Sequence, residues 1–245
     1  MPGKDDLVRR SQRKRGPPRG VEGPLSPSRS LGLHDWVLDW WRGGGGAFGG
    51  FLRMATLPLE LGFRMVSGVW GRMYDSGVMP LQRVPVPVIS VGNLTVGGSG
   101  KTPLSSWLLK ELVARGERPA LVSGGYGGDE IQLHRRWAPD ALVIAEEDRA
   151  YGAWKAARKG ATVVILDDGF QHRRLARDLD IVLLAANTPT RVRLLPRGPF
   201  REPFNSLNRA GVVVITRKGT NDATEAVELS VDPYLREPPG KVAFV

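Results

Sequence analysis

Residues 88–103 read Val-Ile-Ser-Val-Gly-Asn-Leu-Thr-Val-Gly-Gly-Ser-Gly-Lys-Thr-Pro, an apolar strand running into a glycine-rich loop and then a helix start. Few architectures accommodate that order. Gly97, Gly98 and Gly100 free the backbone to turn successive N–H groups toward a polyphosphate. Lys101 is spaced to reach the outer phosphates, and the Thr102 hydroxyl suits Mg²⁺. A helix opening at Pro103 adds the positive end of its dipole. The general phosphate-loop pattern has glycine where this chain has Thr95. The expected triphosphate cradle is therefore Thr95, Gly97, Gly98, Ser99, Gly100, Lys101, Thr102 and Pro103. A glycine-rich strand-to-helix turn that binds nothing is the bland alternative.

The chain from Val84 onward alternates as an α/β fold does. Short, β-branched apolar runs at 86–91, 119–123, 141–145, 162–166, 181–185 and 211–215 predict strands. Helical stretches fall at 103–115, 148–159 and 222–229. The unbroken apolar character of Val163–Leu166 and Ile181–Leu184 fits strands covered on both faces. The expectation is a P-loop NTPase-like α/β fold, with a mostly parallel sheet and helices on both faces.

Ahead of that lobe the text changes twice. Residues 1–32 hold Lys4, Arg9, Arg10, Arg13, Lys14, Arg15, Arg19 and Arg29 among Pro, Gly and Ser, the composition of a disordered basic tail. With a net charge of +10, the chain needs an anionic partner or environment. A nucleic-acid arm is conceivable, but no aromatic interleaving in the tail supports base stacking. Attraction to anionic lipid fits equally, a solvated tail is the bland reading, and no nucleic acid is expected. Cysteine is absent, which excludes disulfides and thiolate chemistry.

Residues 33–76 carry Trp36, Trp40 and Trp41, a four-glycine break at 43–46, and then a long apolar-rich stretch. At 100° per residue Arg53, Glu60, Arg64 and Arg72 share one helical face, while Leu57, Leu61, Met65, Val66, Val69 and Trp70 cover the rest. Pro58 marks a first turn or a kink. A membrane-interfacial helix and an ordinary helix buried against the domain both fit this pattern.

Further motifs carry chemistry. Val163-Val-Ile-Leu-Asp167-Asp168 has the form of a strand delivering a carboxylate to phosphate-bound Mg²⁺, so Thr102, Asp167 and Asp168 are the candidate metal ligands. Adjacent Asp residues at a strand end point to opposite sides, one to the metal and one elsewhere. A second glycine-rich loop, Gly124 to Glu130, follows a predicted strand and offers Asp129 or Glu130 as a base toward an acceptor hydroxyl. Leu195-Pro-Arg-Gly-Pro-Phe-Arg-Glu-Pro203 is a proline-pinned loop bearing Arg197, Arg201 and Glu202. Asp148-Arg149 opens a helix as cap or phosphate contact. His34 and His134 read as incidental, while His172 follows the Asp-Asp strand and is placed to line the site.

In combination, Val84–Pro103, Gly-Tyr-Gly-Gly (125–128), Gly-Asp-Glu (128–130), Asp-Asp-Gly-Phe-Gln-His (167–172) and the 195–203 loop resemble the tetraacyldisaccharide 4'-kinase family, the lipid A 4'-kinases of Gram-negative bacteria. The resemblance runs from about Leu57 to Arg217. It implies transfer of the ATP γ-phosphate, with Mg²⁺, to the 4'-hydroxyl of a lipid A disaccharide precursor at the cytoplasmic face of the inner membrane. It also implies that an N-terminal helix sits on that membrane. By position it implies Ser99, Lys101 and Thr102 for the phosphates and metal, and Asp129 as the base. Lys101, Asp168, Arg149 and Glu202 would be further catalytic groups, and Gln171 and His172 further nucleotide contacts.

Three departures qualify the match. Ser123-Gly124-Gly125 stands where the family has Ser-Arg-Gly. An insert before Gly-Asp-Glu is lacking. Beyond 77–245 the family continues into a second lobe of roughly 80–100 residues, the size of a small domain. The competing expectation is a membrane-bound ATP-binding module without kinase turnover.

Overall fold

The computed structural model describes residues 32–124, 128–216 and 242–244. The predicted basic tail but for its last residue, residues 125–127 and the predicted helix at 222–229 lie outside the described residues. Seven strands form one parallel sheet: β1 (Val88–Asn93), β2 (Pro119–Ser123), β3 (Leu142–Ala145), β4 (Val163–Asp167), β5 (Leu179–Ala185), β6 (Val212–Thr216) and β7 (Val242–Phe244). Their order is β3-β2-β4-β1-β5-β6-β7. Six coincide with the predicted apolar runs, shifted by two residues at most, and β7 was not expected. The order reverses around β1, so the crevice at the carboxyl ends beside it is where such sheets bind ligands.

Alternation along each strand divides the core. Val91, Leu121, Ile165 and Leu183 pack beneath α4 (Lys101–Ala114). Val88, Val122, Val164 and Leu166 face the other way, against Ala150, Ala153 and Ala156 of α6 (Arg149–Arg158). Helix α6 begins where Asp148 accepts hydrogen bonds from the N–H groups of Ala150 and Tyr151, at 3.0 and 3.1 Å. Such a cap contributes about 1 kcal/mol. Helix α5 (Gly128–Trp137), on the α4 side of the sheet, occupies a stretch that was expected only as loop at its start.

The region ahead of the lobe folds as three helices: α1 (Leu33–Arg42), α2 (Gly46–Ala55) and α3 (Leu57–Asp75). Pro58 lies in the first turn of α3, as one of its two expected placements. The four charges divide: Arg64 and Arg72 are exposed, while Arg53 and Glu60 turn inward. Arg53 closes α2 and donates to the carbonyls of Trp40 and Gly44. Glu60 is buried, and it accepts from Leu194 N–H and from Arg197 Nη1, both at 3.0 Å.

The 194–201 loop thereby anchors the helices, and Trp41 Nε1 and Arg197 Nε add bonds to Pro196 O and Arg53 O. Apolar residues instead face outward: Phe48, Phe51, Met54, Leu61, Met65, Val66 and Trp70 are all at least half exposed. Among the described residues, no helix is long and apolar enough to cross a membrane.

Candidate active site

The glycine-rich loop sits between β1 and α4. Gly97 and Gly100 have φ of 122° and 87°, the left-handed region that glycine enters without strain. Two side chains hold the loop from below. Asn93 Nδ2 donates to Ser99 Oγ (2.9 Å), and Thr216 Oγ1 donates to Ser99 O (3.0 Å). Ser99 is therefore buried, with its polar atoms committed to the scaffold. Thr95 pairs with Phe200 across a short antiparallel bridge, which joins the phosphate loop to the 194–201 segment.

Lys101 and Thr102 open α4, so their side chains stand at the positive end of the helix dipole. Pro103 follows in the first turn, where its absent N–H costs nothing.

Lys101 Nζ lies 3.4 Å from Asp168 Oδ1, and Arg201 Nη1 donates to Asp168 Oδ2 at 2.8 Å. Asp168 adopts φ 54°, uncommon for a side-chain-bearing residue, and this swings its carboxylate into the crevice. Burial pushes its pKa up, but the Lys101 charge and the Arg201 hydrogen bond together outweigh burial and hold it below its ordinary value.

Asp167, one residue earlier, takes the opposite side. It is 3% exposed; Oδ1 accepts from Ser105 of α4 (3.1 Å), and Oδ2 meets His134 Nε2 of α5 (3.2 Å). His134, expected to be incidental, is itself fully buried. The two aspartates do diverge, and it is Asp168 that faces the phosphate loop.

From Asp168 a polar chain continues along the crevice. Gln171 Nε2 donates to Asn93 O (2.9 Å) and Glu202 Oε1 (3.2 Å). Glu202 Oε2 is held by Arg209 (2.9 Å), whose guanidinium lies 4.5 Å over the Phe170 ring. Sequence reading placed Arg201 on the loop as an arginine suited either to phosphate recognition or to plain surface, and passed over Arg209. The only signal for either was an arginine near Glu202.

On the α6 side, Arg149 turns inward and is buried, donating through Nη1 to the carbonyls of Glu146 and Glu147. Burial lowers its pKa, and the nearby Asp168 and Asp167 charges oppose that. Its guanidinium lies so close to Gly124 that a β-carbon there would come within 2.6 Å of Nη2. His172 shares a cavity of about 280 Å³ with Arg149 and Arg174. Partial desolvation and then the Arg149 charge lower the His172 pKa. Asp129 is placed by backbone alone, as the second residue of α5.

The chemistry of this donor set fits Mg²⁺ bound with a polyphosphate. Asp168 Oδ1 is buried, accepts no close hydrogen bond and meets the Lys101 charge at 3.4 Å, an anionic atom with coordination to spare. Among the described residues no group of three or more acidic or histidine side chains could hold a metal by itself.

Comparison with known proteins places this geometry. The sequence model of the Tetraacyldisaccharide-1-P 4'-kinase family matches residues 52–136 and 127–237. A tetraacyldisaccharide 4'-kinase from Anaeromyxobacter sp. (strain K) is 42% identical over 198 residues, covering 71% of this chain and 52% of the relative. One from Chlorobium luteolum is 36% identical over 204 residues, covering 72% and 58%. Among solved structures, LpxK from Aquifex aeolicus, crystallised in complex with ATP, is similar with a TM-score of 0.62 and 37% identity, over 67% of this chain and 58% of that one. The chain spans between half and three fifths of the length of these curated relatives.

Proposed function

Because the chain belongs to the tetraacyldisaccharide-1-P 4'-kinase family, we propose that it transfers the γ-phosphate of ATP to the 4'-hydroxyl of a tetraacyldisaccharide 1-phosphate precursor of lipid A. The observation that carries this reading is the convergence of Lys101, Asp168 and Arg201 in front of the α4 N-terminus. The similarity to a kinase crystallised with ATP supports nucleotide as the phosphoryl donor.

In this reading the loop N–H groups from Gly97 to Thr102 and Lys101 cradle the β- and γ-phosphates. Thr102 and Asp168 would hold Mg²⁺, with Asp167 behind them, and the ion would supply neutralisation of the charge that develops in phosphoryl transfer.

Lys101 and Asp168 pair with each other in the structure, so each is already oriented before a ligand arrives. Arg201 keeps Asp168 aimed when Lys101 swings to the phosphates. Asp129, from the first turn of α5, takes the proton of the acceptor hydroxyl as its oxygen bonds to the γ-phosphorus. The bond from phosphorus to the bridging oxygen breaks, and ADP leaves with that electron pair. Arg149 and His172 line the acceptor side, and Gln171 and Glu202 keep the crevice wall rigid through Asn93 and Arg209.

The outward apolar face of α2 and α3 supports a membrane-interfacial placement, at the cytoplasmic leaflet where ATP and a lipid acceptor meet. Residues 33–76 then form the membrane-associating segment and 77–245 the kinase lobe.

The test is acceptor-dependent ADP release from ATP and Mg²⁺, with the disaccharide lipid presented in detergent. Turnover abolished by both Lys101→Ala and Asp129→Asn supports the reading. ATP binding without acceptor-dependent turnover overturns it and leaves a nucleotide-binding module.

A further inference from the structure

The mechanism leaves one buried polar cluster without a part. His134 is fully buried on α5, with Nε2 3.2 Å from Asp167 Oδ2 and Nδ1 2.9 Å from Ser106 Oγ. Ser106 is buried on α4, and the adjacent Ser105 donates to the other Asp167 oxygen at 3.1 Å. A ring proton on Nε2 satisfies every member: the imidazole donates to Asp167 and accepts from Ser106. Four buried polar groups therefore close on one another where α4, α5 and the end of β4 meet. Apolar side chains in their place would pack without the risk of unsatisfied groups, so the cluster's value lies in its directionality.

Each element it joins carries a piece of the site. Helix α4 begins at Lys101 and Thr102, the residue after Asp167 is Asp168, and α5 has Asp129 in its first turn. Around the ring, the buried apolar groups are Ile131 of α5 and Ala138 just past its end, and apolar packing, being non-directional, sets a rotation about the helix axis only loosely. The hydrogen bonds of His134 do fix it.

We propose that His134 is a positioning residue which couples the nucleotide-binding end of the site to the acceptor-base helix. Phosphate and Mg²⁺ engagement at Lys101, Thr102 and Asp168 is transmitted through Ser105, Ser106 and Asp167 to the imidazole, and so sets the start of α5. This inference rests on the kinase reading for the role of Asp129, but the coupling itself is a property of the fold.

The test compares the wild type with H134L, which keeps bulk and removes both polar contacts, and H134Q, which can again donate to Asp167 and accept from Ser106. Backbone hydrogen exchange is followed with and without ATP and Mg²⁺. In the wild type, nucleotide slows exchange in residues 97–106 and also in α5. In H134L the 97–106 response persists and the α5 response disappears, and H134Q restores it.

In turnover, H134L lowers kcat by about 10–100-fold, the scale of a base misplaced by about 1 Å. Its KM for ATP stays within about threefold of wild type, since the loss is confined to the transition state. Should H134L not fold, Ser106→Ala removes the Nδ1 partner alone and carries the same comparison.

An α5 that ignores nucleotide in the wild type, an H134L that responds as wild type, or an H134Q as impaired as H134L overturns the proposal. A wild type that couples α5 to nucleotide but shows no phosphoryl transfer overturns the kinase reading and leaves the coupling standing.

Discussion

Replacing Glu60 by alanine is the sharpest probe of how the N-terminal helices are held. The carboxylate makes three contacts. Leu194 N–H donates to Oε1 at 3.0 Å, and removing the acceptor strands a buried backbone donor at about 1–3 kcal/mol. Arg197 Nη1 donates to Oε2 at 3.0 Å, but that side chain is 27% exposed and water can replace the partner, so the loss is about 0.5–1 kcal/mol. Arg64, half exposed at 3.4 Å, contributes almost nothing.

The expected destabilisation is about 1.5–4 kcal/mol, measured by urea unfolding of the full chain. Glu60→Gln keeps an oxygen toward Leu194 and loses only the charge, about 0.5–1 kcal/mol.

The pH dependence has a definite sign. Burial raises the Glu60 pKa, yet the Leu194 N–H and Arg197 together bring it below its ordinary 4.5. A carboxylate with a depressed folded pKa stabilises fully above the unfolded value and loses that contribution as pH falls through the folded one. The gap between wild type and Glu60→Gln is therefore constant at neutral pH and closes below about 4.5. If Glu60→Ala unfolds within about 0.5 kcal/mol of wild type at neutral pH, the range of ordinary surface changes, the anchoring role is wrong.

Four other outcomes follow from the same contacts. Lys101→Ala removes a charge-assisted phosphate contact worth about 1.5–3 kcal/mol, so calorimetry should find ATP affinity lowered about 10–100-fold, and an unchanged affinity would count against the phosphate loop. Asp168→Asn leaves Arg201 its acceptor but removes the metal-facing charge. It should raise the Mg²⁺ concentration for half-maximal rate about tenfold or more, whereas an unaltered Mg²⁺ titration would exclude Asp168 as the ligand. Gly124→Ala drives a methyl to 2.6 Å from Arg149 Nη2 and must displace the guanidinium. It should cut kcat about tenfold with ATP affinity retained, and wild-type kcat would show that Arg149 needs no fixed seat. The pair Leu61→Asp and Met65→Asp, both more than half exposed, should weaken sedimentation with anionic vesicles at least about tenfold and leave Tm unchanged; full vesicle binding would refute the interfacial face.

The structure separates what local pattern reveals from what it hides. Apolar residues were placed well, because a strand buried on both faces, such as β4, reads as a continuous apolar run, here Val163–Leu166. The phosphate loop was equally legible, since its conformation is demanded by glycines close together in sequence.

Helix α5 was not, for its buried positions are Ile131 and His134, and a histidine there breaks the apolar periodicity. Glu60 misled for a related reason. Periodicity identifies the polar face of a helix but not what that face meets. Here it meets the 194–197 loop, over 130 residues away in sequence, and the apolar face is left outward.

Asp167 and Asp168 fall between these cases. Alternation put them on opposite sides of the sheet, but which side holds the phosphates depends on where α4 lies. A right-handed crossover from β1 to β2 sets that position, and Asp167 is on the α4 side, where Ser105 and His134 take it. Asp168 is left to the crevice only because its backbone leaves the strand at φ 54°. The groups to which the proposal gives the chemistry were thus visible one by one. The buried polar contacts that aim them, Glu60 with Leu194 and His134 with Asp167, join segments that no local window contains.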